Sequence, residues 1–202
     1  MALLGFIFSP PFLERARLRS SLSFRRLFFH FLLFGFILGA STVGRAQDQE
    51  YQLKAAFLYN FAQFVKWPSG AFTSSDAPFN IGVLGDDPFG SALEETVRGE
   101  AINNHRLTVV RAQQVSDLKD CQMIFVSRSK EGQVSEILSQ LDSKPILTVS
   151  EIDNFAQDGG AIDFYLQGGK VRFEINPNSA QRRGLKISSQ LLNLGKIVAG
   201  GN

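Results

Sequence analysis

The chain has 202 residues, 44% of them apolar, which suits one domain with a buried core behind a leader. Its formal charge of +2 misleads, because residues 1–46 hold six arginines and one acid; the remainder carries 15 basic against 18 acidic residues, net −3, read as dispersed charge. That balance gives no electrostatic case for nucleic-acid binding.

The leader comes first in the chain. Arg15, Arg17, Arg19, Arg25 and Arg26 precede an apolar run from Leu27 to Leu38, followed by Gly39, Ala40 and Ser41 and by Gly44-Arg45-Ala46. This is the order of a secretory signal: a basic region, an apolar region, then small residues at a cleavage site. As a helix the run reaches about 18 Å, short of the roughly 30 Å hydrocarbon core. The pattern predicts a signal peptide over residues 1–46, cleaved after Ala46, and an exported mature domain over 47–202. An uncleaved anchor reaching to Val43 is the competing reading. The phenylalanine count follows the leader too, since nine of the 19 lie in it.

After a polar start at Gln47–Glu50, the mature chain runs into YQLKAAFLYNFAQFVKWP, Tyr51 to Pro68. Leu53, Phe57, Phe61 and Phe64 form one apolar row at helical spacing, and Tyr51, Ala55, Leu58, Ala62 and Val65 form a second beside it. A helix apolar over more than half its circumference packs on two sides. Pro68 ends it, having no N–H and disfavouring helical geometry at Trp67.

Phe79–Leu84 reads as a buried strand. Gly85-Asp86-Asp87-Pro88 turns into a helix with Asp87 as N-cap and Pro88 at the first position. Further strands are predicted at Arg106–Val110, Met123–Val126 and Ile146–Val149. An amphipathic helix is predicted at Gln133–Leu141, and a helical turn at Ile152–Ala156. Apolar strands alternating with helices favour a parallel sheet covered on both faces. Ala161–Gln167 and Lys170–Asn176 then flank Gly168-Gly169 as a hairpin. Its register puts Phe164 opposite Phe173 and Leu166 opposite Val171 on one face, with Asp163, Tyr165, Arg172 and Glu174 on the other. A last helix is expected over Ser188–Val198. The fold class is therefore α/β: a mostly parallel sheet covered by helices, with a C-terminal antiparallel hairpin and a final helix.

Chemistry is sparse. Gly85–Ser91 has the place of a phosphate loop but not its spacing, and two aspartates repel phosphate. Ser127-Arg128-Ser129-Lys130 follows a strand at a helix start, where anions bind and where open α/β sheets collect ligands. Asp86, Ser127 and Arg128 are thus the candidate small-ligand site. Asp163 and Glu174 face each other across the hairpin as a candidate acid–base pair; a solvated cluster with Arg172 diagonal to Asp163 is the simpler reading. Past residue 46 the chain has one histidine, His105, read as an exposed loop residue, and one cysteine, Cys121, read as buried filler. A zinc site or Cys–His pair is poorly supplied, and no catalytic residue, cofactor or metal is expected.

The segments AAFLYNFAQFVKWP, IGVLGDDPFG, LTVS, FAQDGGAIDFYL, VRFEIN and ISSQLLNL, in that order between Tyr51 and Val198, resemble the YfiR family of small periplasmic proteins. The resemblance implies a Rossmann-like fold and a tendency to form homodimers. It also implies repression of an inner-membrane diguanylate cyclase through its periplasmic sensor domain, which lowers cyclic di-GMP in the cell. Relatives that serve other membrane sensors, such as histidine kinases, are implied as well. Better-known members use disulfides, and this chain departs from them, because Cys121 has no second mature cysteine to pair with. The surface expected to meet the partner is the hairpin and final helix, at Tyr165, Arg172 and Leu191. An aromatic and an arginine on one face are residue types enriched at interface hot spots, whereas for Leu191 plain core packing is the stronger reading. The reading from a different class is a periplasmic small-ligand binding protein using Asp86, Ser127 and Arg128. A hydrolase using Asp163 and Glu174 comes third.

Overall fold

The computed structural model describes residues 46–199, so the leader expectation lies outside the described residues. The chain opens with helix α1, residues 46–64. Ala55, Leu58, Phe61 and Ala62 are fully buried on it, and Phe61 lies against Phe164 and Phe173 at ring-centroid distances of 5.6 and 5.1 Å. Two expectations for this helix fail. It stops before Val65, because Val65–Lys66 (β1) pairs antiparallel with Lys186–Ile187 (β9). Leu53 is exposed, and Lys54, which the apolar pattern passed over, is 3% exposed.

β2 (Phe79–Leu84) is an interior strand of an eight-stranded sheet. Its neighbours are β4 (His105–Ala112) on one side and β5 (Met123–Val126) on the other, both parallel to it. β6 (Leu147–Ser150) and β7 (Ile162–Gln167) continue the parallel run. The five parallel strands, counted along the chain, are thus ordered 2-1-3-4-5, a doubly wound arrangement whose direction of growth reverses at β2. Antiparallel strands close both ends: β3 (Ala101–Ile102) beside β4, and β8 (Lys170–Ile175) beside β7. β10 (Lys196–Ile197) adds beyond β8, parallel to it.

Side-chain alternation along these strands splits the core into two layers. One face of the sheet, with Phe79, Ile81, Val83, Phe125, Phe164 and Phe173, packs under α1 and under α2 (Ala92–Val97). The other, with Leu84, Ile124 and Val126, packs under α3 (Val134–Leu141) and the turn that carries Ile152 and Phe155. The parallel, doubly covered sheet expected from the sequence is therefore present, and among the described residues no helix is long and apolar enough to cross a membrane.

The hairpin takes the predicted register, Phe164 opposite Phe173 and Leu166 opposite Val171, around Gly168 and Gly169 at φ +58° and +72°. Elsewhere local geometry departs from expectation. Asp87 accepts from the Phe89 N–H at 2.8 Å, an Asx turn, but α2 starts only at Ala92. Residues Arg128–Gln133 form a 3-10 segment ahead of α3. The final helix, α5, covers only Ser189–Leu194. It ends because Gly195 lies against Phe173 and Ile175, where a Cβ would stand 2.6 Å from the ring, and the chain then becomes β10. α4 (Pro177–Arg182), capped by the Asn176 side chain on the Ser179 N–H, went unrecognised. His105 is not a loop residue: it begins β4, is buried, stacks on Phe72 at 3.7 Å and bonds the Ala77 carbonyl through Nδ1 at 2.6 Å.

Candidate functional site

The carboxyl ends of β2 and β5 meet where the strand order reverses, which is where open α/β sheets bind ligands. The sequence reading placed Asp86, Ser127 and Arg128 there. Gly85 leaves β2 at φ +95°, and a Cβ on it would stand 2.4 Å from Ser129 Oγ. The Asp86 N–H donates to that Oγ at 2.9 Å, and Ser129 Oγ donates to Ser127 Oγ at 3.3 Å. Asp86 and Ser127 are thus joined through Ser129, so the two loops close on each other. Asp87 is engaged as well, since Arg111 on β4 donates to it at 2.7 Å while also holding Glu94 of α2. That pairing holds the Glu94 carboxyl below the usual carboxylate range.

Arg128 turns the other way. Its Nε lies 3.9 Å from Glu151, which follows β6, and its Nη2 lies 3.8 Å from Asp153. Glu151 is buried and also accepts from the Tyr51 hydroxyl at 3.0 Å and from Lys54 Nζ. Lys54 is held in addition by Glu50 at 2.5 Å and lies 4.7 Å from the centre of the Tyr51 ring. Burial, reinforced by Glu151, pushes the Tyr51 hydroxyl well above its ordinary pKa. This six-residue cluster pins the first half of α1 across the carboxyl edge of the sheet. The sequence reading missed it, because its members come from three separate stretches of the chain.

The hairpin carboxylates do face each other, Asp163 opposite Glu174. Both are buried, so the solvated cluster expected for them is corrected. The cation is not Arg172, which pairs with Tyr165, but Lys196 of β10, 2.6 Å from Glu174 Oε1. Gln157 Nε2 donates to the other Glu174 oxygen at 2.5 Å. Asp163 Oδ1 and Gln157 Oε1 have no hydrogen-bond partner among the described residues. Burial, with Glu174 adding to it, raises the Asp163 carboxyl to about 7.

Of the residues expected to meet a partner, Tyr165 is half-buried and Arg172 exposed, on the expected hairpin face. Leu191 is 1% exposed and packs in the α1-side core, so its expected role at the surface is corrected: the short α5 turns that side chain inward. A cleft of ≈ 290 Å³ opens at the opposite end of the sheet, lined in part by Phe72, Asn80, Cys121 and Gln122. Its amide groups are engaged: Gln122 accepts from the Asn80 N–H at 2.8 Å and donates to the Ala71 carbonyl at 2.7 Å. No group of three or more His, Cys, Asp or Glu side chains among the described residues is arranged to hold a metal ion.

A family model described as YfiR/HmsC-like matches residues 51–196. That match runs from the first turn-and-a-half of α1, through the doubly wound sheet and the hairpin, to the first residue of β10, and it agrees with the motif series read from the sequence. The chain therefore belongs to the YfiR/HmsC-like family.

Proposed function

We propose that the mature domain is a periplasmic regulator that represses an inner-membrane diguanylate cyclase by contact with its sensor domain, without chemistry of its own. The family match over residues 51–196 carries this reading. The leader pattern supports it by directing the domain outside the cytoplasm, away from the cyclic di-GMP pool. The switch-point loops support it too, since the Asp86 N–H, Ser129 and Ser127 bond to one another and Gly85 packs against Ser129. Deleting the gene should raise cyclic di-GMP and biofilm formation. Restoring the secreted form should reverse both, and a leaderless form held in the cytoplasm should not. Unchanged cyclic di-GMP in the deletion strain, with the cyclase expressed, refutes the proposal and favours the small-ligand reading.

A further inference from the structure

The charge of the domain is split, not dispersed. Residues 47–158 hold nine basic and sixteen acidic residues, whereas residues 159–199 hold six basic and two acidic ones. Those two acids, Asp163 and Glu174, are buried, while Lys170, Arg172, Arg182, Lys186 and Lys196 are exposed. The late segment therefore shows cations and no carboxylate. It also carries most of the large apolar side chains exposed among the described residues: Leu166 at 55%, Leu194 at 70% and Ile197 at 52%, with Leu53 of α1 the other. Leu53 belongs to the same region, because Phe57, one turn further on, packs against Phe164 and Phe173.

The two kinds of side chain are sorted by face. Val171, Phe173 and Ile175 of β8 point into the core under α1, so Lys170, Arg172 and Glu174 point to the other face. Lys196 is level with Glu174, and Ile197 with Ile175. Along this edge, cations therefore project from one face and apolar groups from the other. β10 is the end strand of the sheet. The Val198 N–H turns inward to the Ile175 carbonyl at 2.9 Å, so by strand alternation the Ile197 N–H points outward. β10 also covers only Glu174 and Ile175 of the six β8 residues.

We propose that this edge accepts an extended segment of the membrane sensor as an added strand, one in which acidic residues alternate with apolar ones. The proposal rests on reading the protein as a regulator that acts by contact. A strand sends successive side chains to opposite faces, so alternation matches the sorting of Lys170, Arg172 and Lys196 against Leu166 and Ile197. A flat bilayer meets one face at a time and cannot use both sets, so a protein segment fits better than an anionic membrane.

The probe is a short peptide of alternating glutamate and valine, mixed with the isotope-labelled mature protein. Amide shifts should map to Lys196–Val198 and Lys170–Arg172, and binding should weaken with salt. The double variant Lys170→Glu/Arg172→Glu should lose about tenfold in affinity, the order expected of interfacial hot-spot charges. Ile197→Pro, which removes the outward N–H together with the exposed isoleucine side chain, should lose as much, and Ile197→Ala, which keeps the N–H, should lose less. An alternating lysine–valine peptide that binds equally well, or shifts that map elsewhere, overturns the proposal. So does binding of the wild type to phosphatidylglycerol vesicles that these variants lose, or self-association that they lose. Peptide binding at the edge alongside unchanged cyclic di-GMP in the deletion strain upholds the edge and overturns the regulator reading.

Discussion

Replacing Asp163 by asparagine should remove a specific pH dependence from the stability of this protein. Asp163 sits beside Glu174 under the turn at 152–157, with one carboxylate oxygen unpartnered, and its carboxyl is raised to about 7. In the unfolded chain it titrates near 3.9, so between about pH 4 and 7 the folded state binds the extra proton. Folding is then favoured at the acid end, and the stabilisation is lost as pH rises through 7. Integrated from pH 5 to pH 8, the loss is about 2.5 kcal/mol. Asparagine stays neutral and keeps a donor where the proton was. The variant should therefore match the wild type below about pH 4, draw ahead of it as pH rises, and gain a further ~2.5 kcal/mol on it between pH 5 and pH 8. Urea unfolding of the mature domain at intervals across this range gives both curves, and their difference isolates Asp163 from the other carboxylates. A wild-type curve that is flat or rising from pH 5 to 8, or an equal fall in Asp163→Asn, refutes the reasoning.

Phe61→Ala should cost about 3–5 kcal/mol in denaturant melts, because the ring is fully buried between Phe57, Phe164 and Phe173; a loss below about 1 kcal/mol would place the helix face wrongly. Lys54→Ala should cost about 3 kcal/mol, since it leaves Glu151 buried with only Tyr51 and the more distant Arg128. The double change Lys54→Met/Glu151→Leu should recover most of that loss in the same melts, and a single variant as stable as wild type would mean that the buried pair is not formed. Cys121 is pushed up to about 12 by burial, with Asp120 adding to it, so a thiol reagent at pH 8 should label it only as fast as the protein opens. Rapid labelling of the native protein, or a disulfide-linked dimer on a non-reducing gel, would show an accessible thiol.

The parts of the fold that were legible in the sequence are those set by neighbours along the chain. The hairpin register follows from Gly168-Gly169 and the alternation on either side, both local signals. The apolar stripe of α1 is local as well, and its central residue Phe61 is buried as the stripe requires. What was missed depends on partners far away in sequence. Lys54 falls outside both apolar rows, and nothing near it in the chain announces Glu151, 97 residues on, which receives it. His105 reads as a loop residue until Phe72 and the Ala77 carbonyl give it a wall and a bond. α5 ends where Gly195 meets Phe173, a contact that no helical pattern announces. α4 is a different case: Asn176-Pro177 is an N-cap followed by proline at the first helical position, a signal that was present and passed over.

The switch point and the sheet edge are linked by α1. In a doubly wound sheet the crevice at the carboxyl ends of the central strands is the usual place for a ligand. Here Gly85, Ser127 and Ser129 draw its walls together, and Tyr51 and Lys54 of α1 are fastened beside it to Glu151. A buried ion pair adds little net stability against an apolar alternative, but it fixes one arrangement, since moving either partner strands a charge. The arrangement fixed is the seat of the first half of α1, which holds Phe57 against Phe164 and Phe173 on the hairpin. The chemistry spent at the crevice thereby orients the surface at the edge. Loosening the Lys54–Glu151 pair should accordingly disturb the edge before it disturbs the sheet, because β2, β5 and β6 keep their own parallel pairing whether or not α1 is seated.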